Sequence, residues 1–500
     1  MFRIAILFLI CFSEVSLANY RTAQAYLQRR NYMAAAPEFF KAYNYPSNRA
    51  ERANAEYGLA RSLEGVGLNY SASYYYSIIA RKGPRHPFFR QALEALGRID
   101  SKASLGRAHV GQLFQKDINP AMIPGNARGF YFYYKGLEAF SNNRRNKASE
   151  HFSRVNSSSK YYSKAKFHLG VIANLEGRTS RAIQLFESSK NGGSKALKTQ
   201  ANLNIARAYY EKGKYRQAFR YYAMVDRKSD HWLDTVFESS WAFFILKKHN
   251  NTLGNIHTIH SPFFEDRFFP EAYILQSITF LRLCRFGEVK KSLKEFQSKY
   301  KPVSAALNRM LGEFRGRPGA FYKVVSEYKD GSLSRYERVW SIIDALSRTD
   351  IFAEAKKTNR RSDRELQKLG NAPNKWQQVG LYEELDGFLK KKKSAAISTG
   401  GRNLLAKART YKEYLQKLSS QTQFIQLEMN MGKINNLRKK LNVKAAEDKK
   451  VNFIGGLQEL KVGQDLEYWP FQGEYWEDEL GGYVYNVDSK CGSGGRSKKK

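Results

Sequence analysis

The sequence predicts an all-α protein: a helical solenoid, then a helical adaptor, a long coiled-coil-like helix and a small C-terminal β or irregular segment. Three observations lead to this prediction. A spacing of small residues recurs about every 35 residues, and an apolar seam with heptad spacing follows Leu404. Residues 464–489 combine acidic and aromatic side chains without Lys or Arg. Hydrophobic content of 42% with 14% aromatic residues excludes a wholly disordered chain.

The N-terminal residues 1–18 have the pattern of a secretion signal. One arginine precedes the apolar run Ile4–Phe12, and Ser16 and Ala18 are small residues at the −3 and −1 positions of a cleavage site before Asn19. The run is too short to favour a membrane-spanning helix, although a buried first helix is an alternative. We therefore expect an exported protein, in the periplasm or associated with the outer membrane, with no transmembrane segment in the mature chain.

The repeat is clearest between Gly129 and Phe296. In each unit a small residue lies seven positions before a turn position and twelve before a second small or helix-compatible residue. The five units are Gly136, Asn143, Ala148; Gly170, Gly177, Ala182; Ala206, Gly213, Ala218; Ala242, His249, Gly254; and Ser277, Cys284, Val289. Two earlier units are Ala23, Arg30, Ala35 and Ala60, Gly67, Ala72. Steps of 34, 36, 36 and 35 residues between the five units are typical of helix–turn–helix repeats.

Over about residues 19–300 this spacing, with Gly213-Lys214-Tyr215 and Ala218-Phe219, resembles the tetratricopeptide-repeat family. The resemblance implies paired helices in which the first helix of each pair lines a concave, partner-binding face. The fourth unit departs from the family pattern. His249 stands where a turn glycine is expected, and Thr258 where a large second-helix residue is expected. We interpret this unit as irregularly stacked.

These patterns divide the chain into eight segments. They are a signal peptide (1–18), N-terminal repeats (19–100), a degenerate connection (101–128), the main array (129–301), a helical adaptor (302–400), a long helix or coiled coil (401–445), an acidic–aromatic C-terminal module (446–491) and a disordered basic tail (492–500). Lys390–Lys393 followed by Ser398–Gly401 predicts a basic, flexible hinge near the end of the adaptor.

The long helix carries a seam with alternating steps of four and three residues, which is typical of coiled coils. The seam comprises Leu404, Ala408, Tyr411, Leu415, Leu418, Thr422, Ile425 and Met429, and continues after a phase slip through Ile434, Leu437 and Leu441. It can pair with another chain or fold back on the preceding helices. Weak seam residues such as Ala408 and Thr422 favour folding back. In the last module, residues 483–487 predict a strand that pairs with 466–471.

The sequence contains no catalytic constellation that we recognise. His257 and His260 are the only close histidine pair; they could share a helical face as metal ligands, but without a third ligand nearby we interpret them as a surface pair. Neither a nucleophile elbow nor a phosphate-binding loop is present. We therefore predict no enzymatic activity, no cofactor and no metal. Cys284 is most simply a small packing residue, and the sequence leaves open whether it forms a disulfide with Cys491.

Counting from the repeat positions gives a set of candidate groove residues. They are Arg61, Glu64, Asn174, Arg207, Tyr210, Lys247 and Arg282. Arg207, Lys247 and Arg282 on successive repeats would form a basic ladder able to hold an acidic peptide or polymer by charge-assisted hydrogen bonds. The alternative is that they are ordinary solvated helix positions.

A second candidate contact lies in the C-terminal module. Its residues are Trp469, Phe471, Tyr475 and Trp476. The module can dock on the protein's own basic helices or on an external partner. The stretch from Tyr468 to Gly481 resembles the end of exported repeat proteins of gliding or predatory deltaproteobacteria, which implies an envelope scaffold within a motility or surface-assembly complex.

A net charge of +38 attracts polyanions generally. Export directs this attraction towards acidic envelope components and disfavours nucleic acid as the partner. The sequence therefore predicts a non-enzymatic scaffold of the bacterial cell envelope that binds envelope proteins or acidic peptides in a concave groove. The alternative is a polyanion-binding module that attaches to acidic cell-wall or outer-membrane polymers.

Overall fold

The computed structural model describes residues 20–103, 105–106, 110–114, 118–328, 334–440, 469–470 and 475–491. The predicted signal peptide, the basic tail and most of residues 446–474 lie outside this part of the chain. Among the described residues, none of the helices combines the length and apolarity that a bilayer span requires.

The described chain is helical almost throughout. In order, the helices are α1 (20–28), α2 (Tyr32–Asn44), α3 (Arg49–Val66), α4 (Asn69–Lys82), α5 (Phe89–Ala103), α6 (Gly125–Ser141), α7 (Arg145–Ser153), α8 (Tyr162–Leu175), α9 (Thr179–Lys190), α10 (Lys195–Glu211), α11 (Tyr215–Ala223), α12 (Trp232–Ile245), α13 (His249–Ile259), α14 (Pro270–Arg282), α15 (Phe286–Glu313), α16 (Pro318–Glu327), α17 (Trp340–Ser347), α18 (Asp350–Leu369), α19 (Asn374–Gln378) and α20 (Leu381–Lys440). Short 3₁₀ helices span Gly83–Arg85, Gly111–Phe114, Pro120–Met122, Pro262–Phe264 and Ser334–Val339. Consecutive helices pack as hairpins, which confirms the predicted all-α solenoid.

The helices belong to two compact units. The first unit comprises Met1–Ser194 with Ala353–Thr399, and the second comprises Lys195–Phe352 with Gly400–Lys500. Residues of the predicted adaptor 302–400 are therefore divided between the two units. Helices α18 and α20 each contribute residues to both.

Inside the hairpins, aromatic rings of the second helix pack on glycines of the first. A Cβ atom at Gly136 would lie 2.6 Å from the ring of Phe152, and one at Gly170 would lie 2.7 Å from the ring of Phe186. Both rings are buried. In these two repeats the small residue therefore lies under a ring sixteen positions later, and this contact brings the two helices close together.

The predicted turn positions adopt left-handed backbone conformations that end the first helix of each hairpin. The residues with positive φ, between 54° and 85°, include Arg30, Gly67, Asn143, Gly177, Gly213 and Cys284. Glycine adopts this conformation without steric cost, and the other residue types tolerate it less readily. The turn spacing predicted from the sequence is confirmed at these six positions.

The fourth hairpin has a different frame from the predicted one. Lys247, not His249, takes the left-handed turn conformation with φ of 58°, and His249 begins α13. The repeat positions are therefore Ser240, Lys247 and Thr252, two residues earlier than predicted. Ser240 and Thr252 are fully buried, as is Ile256, which holds the large second-helix position. The hairpin is thus regular, and the predicted irregularity was wrong.

In the first unit, α18 and α19 pack against the N-terminal helices. The carboxylate of Glu365 accepts hydrogen bonds from the N–H groups of Tyr70 (2.5 Å) and Ser71 (2.9 Å) and from the Ser71 hydroxyl (2.8 Å). It caps α4, which has no side-chain cap of its own. The indole N–H of buried Trp376 donates to the carbonyl of Met33 at 3.0 Å. Burial raises the pKa of Glu365, and its hydrogen bonds oppose that shift.

In the second unit, the predicted seam of α20 folds back onto the unit's own helices. Its buried residues are Leu404, Ala408, Leu415, Leu418, Thr422, Ile425 and Met429. The ring of Tyr411 packs 5.1 Å from that of Phe268, and the Tyr414 hydroxyl donates to the carboxylate of Glu271. Ile434 and Leu437, predicted to continue the seam, are instead 49% and 58% exposed.

The predicted hinge at residues 390–401 is wrong, because α20 continues through it. A Cβ atom at Gly401 would lie 1.9 Å from the carbonyl oxygen of Pro318, the first residue of α16. Gly401 therefore permits a close helix contact rather than a bend.

Two short strands lie at the C-terminal end of the described chain. β1 (Trp469–Pro470) pairs in parallel with β2 (Tyr483–Val484), Trp469 opposite Tyr483 and Pro470 opposite Val484. The predicted pairing of these stretches is present, over two residues of each strand.

Candidate protein-interaction surfaces

The candidate groove residues of the first unit differ in their surroundings. Arg61 is exposed on α3, with its guanidinium 6.0 Å from the centre of the Tyr57 ring. Glu64 accepts two hydrogen bonds from Arg98, both at 2.9 Å, and one from the Tyr76 hydroxyl at 2.9 Å. The side-chain carbonyl of Asn174 is buried with no hydrogen-bond donor among the described residues. Arg61 is thus available to a partner, whereas the Asn174 carbonyl is enclosed and Glu64 belongs to an internal network.

In the second unit, the predicted ladder begins at an arginine whose charge is already matched. The Arg207 guanidinium lies 3.0 Å (Nε) and 2.6 Å (Nη2) from Glu238 Oε1, and the Tyr222 hydroxyl donates to the same carboxylate at 3.0 Å. This double contact raises the pKa of Arg207 against the effect of burial. Tyr210 packs against Tyr215 with ring centres 5.3 Å apart, and burial raises the pKa of Tyr210 to about 12.

The positive charges of the other two ladder residues both affect one histidine. Lys247 lies in the hairpin turn rather than on a first helix, and Arg282 is the last residue of α14. Burial lowers the pKa of His249, and the positive charges of Arg282 and Lys247 lower it further. Both positive charges therefore act on His249, whereas the charge of Arg207 is matched by Glu238.

The C-terminal segment, defined as residues 475–491, makes a turn over residues 477–481 and then lies along α13, with β2 at residues 483–484. The N–H of Gly481 donates to Thr258 Oγ1 at 2.8 Å, and the N–H of Tyr485 donates to the carbonyl of Asn250 at 3.1 Å. A Cβ atom at Gly254 would lie 1.6 Å from the carbonyl oxygen of Tyr483. Gly254 and Thr258 are therefore small because the segment crosses α13 at these residues.

Arginines of the repeats hold main-chain carbonyls of the C-terminal segment. The Arg227 guanidinium donates to the carbonyls of Asp478 at 2.9 Å and Leu480 at 2.7 Å. The Nε of Arg285 donates to the carbonyl of Asp488 at 2.9 Å. Because three acidic residues occupy 477–479, these contacts bring positive groups to an acidic peptide without forming side-chain ion pairs.

Three tyrosines of the segment surround His257. Tyr475 stacks on the imidazole with ring centres 4.4 Å apart and planes 8° from parallel, and the centres of Tyr483 and Tyr485 lie 5.3 and 5.7 Å away. The hydroxyls of Tyr475 and Tyr485 lie 3.4 and 3.3 Å from Nδ1. Burial lowers the pKa of His257 to about 4, so the imidazole is neutral at physiological pH.

The prediction of a surface histidine pair is therefore wrong. His260 is also enclosed, with its ring stacked 4.0 Å from that of Tyr273, and burial lowers its pKa to about 3. Within the described ranges, no group of three or more His, Cys, Asp or Glu residues is placed to hold a metal ion.

The predicted C-terminal contact residues have different outcomes. Tyr475 contacts His257, whereas Trp476 is 57% exposed. Trp469 lies in β1, and Phe471 lies outside the described residues. The side chains that the segment buries most completely are Leu480 and Tyr483, which the sequence did not single out.

A disulfide between Cys284 and Cys491 fixes the end of the segment. The two Cα atoms are 5.0 Å apart across a sequence separation of 207 residues. Beside it, the N–H of Lys490 donates to the carbonyl of Leu283 at 2.8 Å. The pairing that the sequence left open joins the segment to the turn between α14 and α15.

The first unit contains a cavity that the sequence did not predict. Its volume is about 1110 Å³, and it lies between α5, the beginning of α6 and the turn between α7 and α8. Four cationic side chains line it: Arg98, Arg128, Arg154 and Lys160. It falls where the sequence predicted the degenerate connection 101–128, and this loss of repeat pattern is the signal that could have indicated it.

Comparisons with known proteins add little to this picture. No protein-family model matches the chain, and no curated protein matches it. Among solved structures, the crystal structure of MamA protein is similar at 15% sequence identity, covering 42% of this chain and 89% of that chain with a TM-score of 0.18. A similarity at this TM-score carries no argument about function or partners.

Proposed function

We propose that the protein is a non-enzymatic scaffold of the bacterial cell envelope that binds partner proteins on its helical hairpins. The observation that carries the proposal is the C-terminal segment on α13. An acidic and aromatic peptide is held there by hydrogen bonds to its main chain and by stacking on His257. Main-chain hydrogen bonds supply affinity for any extended peptide, and side-chain contacts supply selectivity.

The partner-binding positions in this proposal are those that retain exposed polar groups in the groove that the family resemblance implies. Arg61 in the first unit and Lys247 with Arg282 in the second are exposed cations. They favour acidic segments of envelope proteins, because charge-assisted hydrogen bonds to carboxylates are stronger than neutral ones.

The proposed location is the periplasm or the outer membrane, with which the protein would be associated, within a motility or surface-assembly complex. The Cys284–Cys491 pairing supports export, because structural disulfides persist in oxidising compartments and are rare in the cytosol. The secretion-signal pattern of residues 1–18 is an independent support.

Photo-crosslinking in intact cells tests the scaffold. A crosslinking amino acid is placed at Arg61, at Arg282 and, as a matched control, at Arg181, an exposed residue of the second helix α9. The proposal expects the same envelope proteins to be recovered reproducibly from Arg61 or Arg282 and not from Arg181. Recovery of no envelope protein, or of the same set from all three positions, would contradict it.

The second candidate is a polyanion-binding module, favoured by the net charge of +38 and by the exposed cations Lys247 and Arg282. Salt separates the two candidates. Retention on an acidic polymer such as polygalacturonate that collapses between 50 and 300 mM NaCl (about a halving of the Debye length or more) favours the module. Binding to one envelope protein that persists at the higher salt concentration favours the scaffold.

A further inference from the structure

The cavity of the first unit is bounded on three sides by elements of fixed geometry. Helix α5 contributes Arg98 and Ser101, the first turns of α6 contribute Asn126 and Arg128, and the turn between α7 and α8 contributes residues 156–161. The lining contains a single carboxylate, Glu94, against four cationic side chains.

Two of the four cations, Arg98 and Arg154, already pair with carboxylates of the protein. Arg98 contacts both oxygens of Glu64, through Nε and Nη2, at 2.9 Å each. Arg154 Nη2 lies 2.7 Å from Glu150 Oε1, and its guanidinium packs 5.6 Å from the centre of the Phe132 ring. At this cavity, guanidinium groups therefore pair with carboxylates, and in one case by a double contact.

The other two cations have no carboxylate within ion-pair distance in the described part of the chain. Arg128 donates from Nε to the carbonyl of Ile123 at 3.3 Å, a contact that does not use its terminal nitrogens. Lys160 donates to the carbonyl of Gly97 at 2.9 Å and to the Ser101 hydroxyl. Burial lowers the pKa of the Lys160 ammonium, and the negative charge of Asp100 opposes that shift only in part.

A buried carboxylate lies beside the cavity and anchors Tyr161, one of its lining residues. Asp100 accepts hydrogen bonds from the hydroxyls of Tyr134 at 2.7 Å and Tyr161 at 2.6 Å and from the N–H of Leu105 at 2.7 Å. Lys160 lies over the Tyr161 ring, with its ammonium 4.6 Å from the ring centre. Lys160 and Tyr161, which both line the cavity, are thus held by contacts within the protein, which lowers the entropic cost of binding there.

We propose that this cavity binds an acidic segment of a partner protein, with Arg128 and Lys160 pairing with its carboxylates and Asn126 and Asn156 contacting its main chain. The inference rests on the proposed scaffold function and names the class of partner segment. An amide side chain both donates and accepts, as a peptide main chain does. An acidic polysaccharide would instead be matched by a continuous track of cations, whereas Arg128 and Lys160 line one bounded cavity together with two amide side chains.

Fluorescence anisotropy on the full-length protein tests the inference. The probe is a fluorescein-labelled (Glu-Ser-Asp-Ala)₃ peptide, and its uncharged counterpart (Gln-Ser-Asn-Ala)₃ is the control ligand. Arg128→Glu is compared with Arg181→Glu, which makes the same change of charge at an exposed residue of the same unit outside the cavity. We expect Arg128→Glu to weaken binding about tenfold or more, and Arg181→Glu to weaken it less than threefold.

Arg128→Ala is the control for misfolding of Arg128→Glu, because it removes the positive charge without adding a negative one. It should weaken binding in the same direction with an unchanged melting temperature. Equal losses in Arg128→Glu and Arg181→Glu, equal affinity for the uncharged peptide, or no binding to the unmodified protein would overturn the inference. Crosslinking of envelope proteins at Arg61 or Arg282 would still support the scaffold in each of those cases, so the two failures are distinguishable.

Discussion

The carbonyl oxygen of Tyr483 lies directly over the backbone of Gly254, closer than any side chain at that position would allow. Two residues 229 positions apart in the sequence are thus in main-chain contact. The C-terminal segment is consequently part of the packing of α13, and the repeat sequence has adapted to it. This relationship gives the first prediction.

Gly254→Ala should destabilise the second unit by about 1–3 kcal/mol, because its Cβ atom can be accommodated only by moving the segment's backbone. Gly287→Ala is the matched control, since a Cβ atom at Gly287 in α15 would meet nothing within 4 Å. The control should be neutral or slightly stabilising, as expected for alanine in a helix. Urea denaturation measures both. Equal stability of the Gly254→Ala variant and the unmodified protein would contradict the contact.

Removing the disulfide should lower the free energy of unfolding by about 2–5 kcal/mol, because the bond constrains the unfolded chain over a long loop. Cys284→Ser and Cys491→Ser should each give this loss, and the double variant should lose no more than either single one. Denaturation under non-reducing conditions measures the three values. Additive losses, or two free thiols in the mature protein, would show that the cysteines do not pair.

Stability should fall in acid partly because of His257. Burial lowers its pKa in the folded protein to about 4, below the ordinary value of 6.5, so the folded state binds fewer protons than the unfolded state between these values. The contribution of neutral His257 to the free energy of unfolding is complete above pH 6.5 and is lost as the pH falls towards 4. In His257→Gln, the urea midpoint should therefore depend less on pH in this window. An unchanged pH dependence would contradict the enclosure of His257 by the three tyrosines.

In the first unit, Glu365→Gln should destabilise the fold by about 1–2 kcal/mol, because an amide retains one acceptor oxygen of the two that cap α4. Asp363→Asn on the same helix is the control. Its half-exposed carboxylate pairs with Lys393 at 2.6 Å, and an exposed pair contributes little. The melting temperatures of the two variants, measured by thermal unfolding, should differ by several degrees. Equal losses of stability in the two variants would contradict the role of Glu365 as the cap of α4.

The local parts of the fold were predictable from the sequence. The left-handed turns at Gly177 and Gly213 and the seats of Phe152 and Phe186 repeat at fixed separations within each hairpin, so their spacing is visible in the chain. The seam of α20 is likewise local, because it lies within one helix.

The features that were predicted wrongly or missed share a different cause, which is contact between residues far apart in the sequence. Gly254 has the appearance of a repeat position, but it is small because Tyr483 crosses it, and this similarity shifted the predicted frame by two residues. Gly401 appeared to mark a hinge, but it is small because Pro318 approaches it. The cap by Glu365 and the cavity around Arg128 also depend on chain segments that no local spacing connects.

The central claim is that the α12–α13 hairpin is a peptide-binding surface whose present occupant is the C-terminal segment. It is tested by deleting residues 463–500 in a Cys284→Ser background and adding a synthetic peptide of residues 475–491 with Cys491→Ser. We expect the melting temperature to be several degrees lower after deletion. We also expect saturable peptide binding that raises the melting temperature again. A peptide in which Tyr475, Tyr483 and Tyr485 are replaced by serine should fail to bind. An unchanged melting temperature after deletion, together with no peptide binding, would contradict the claim.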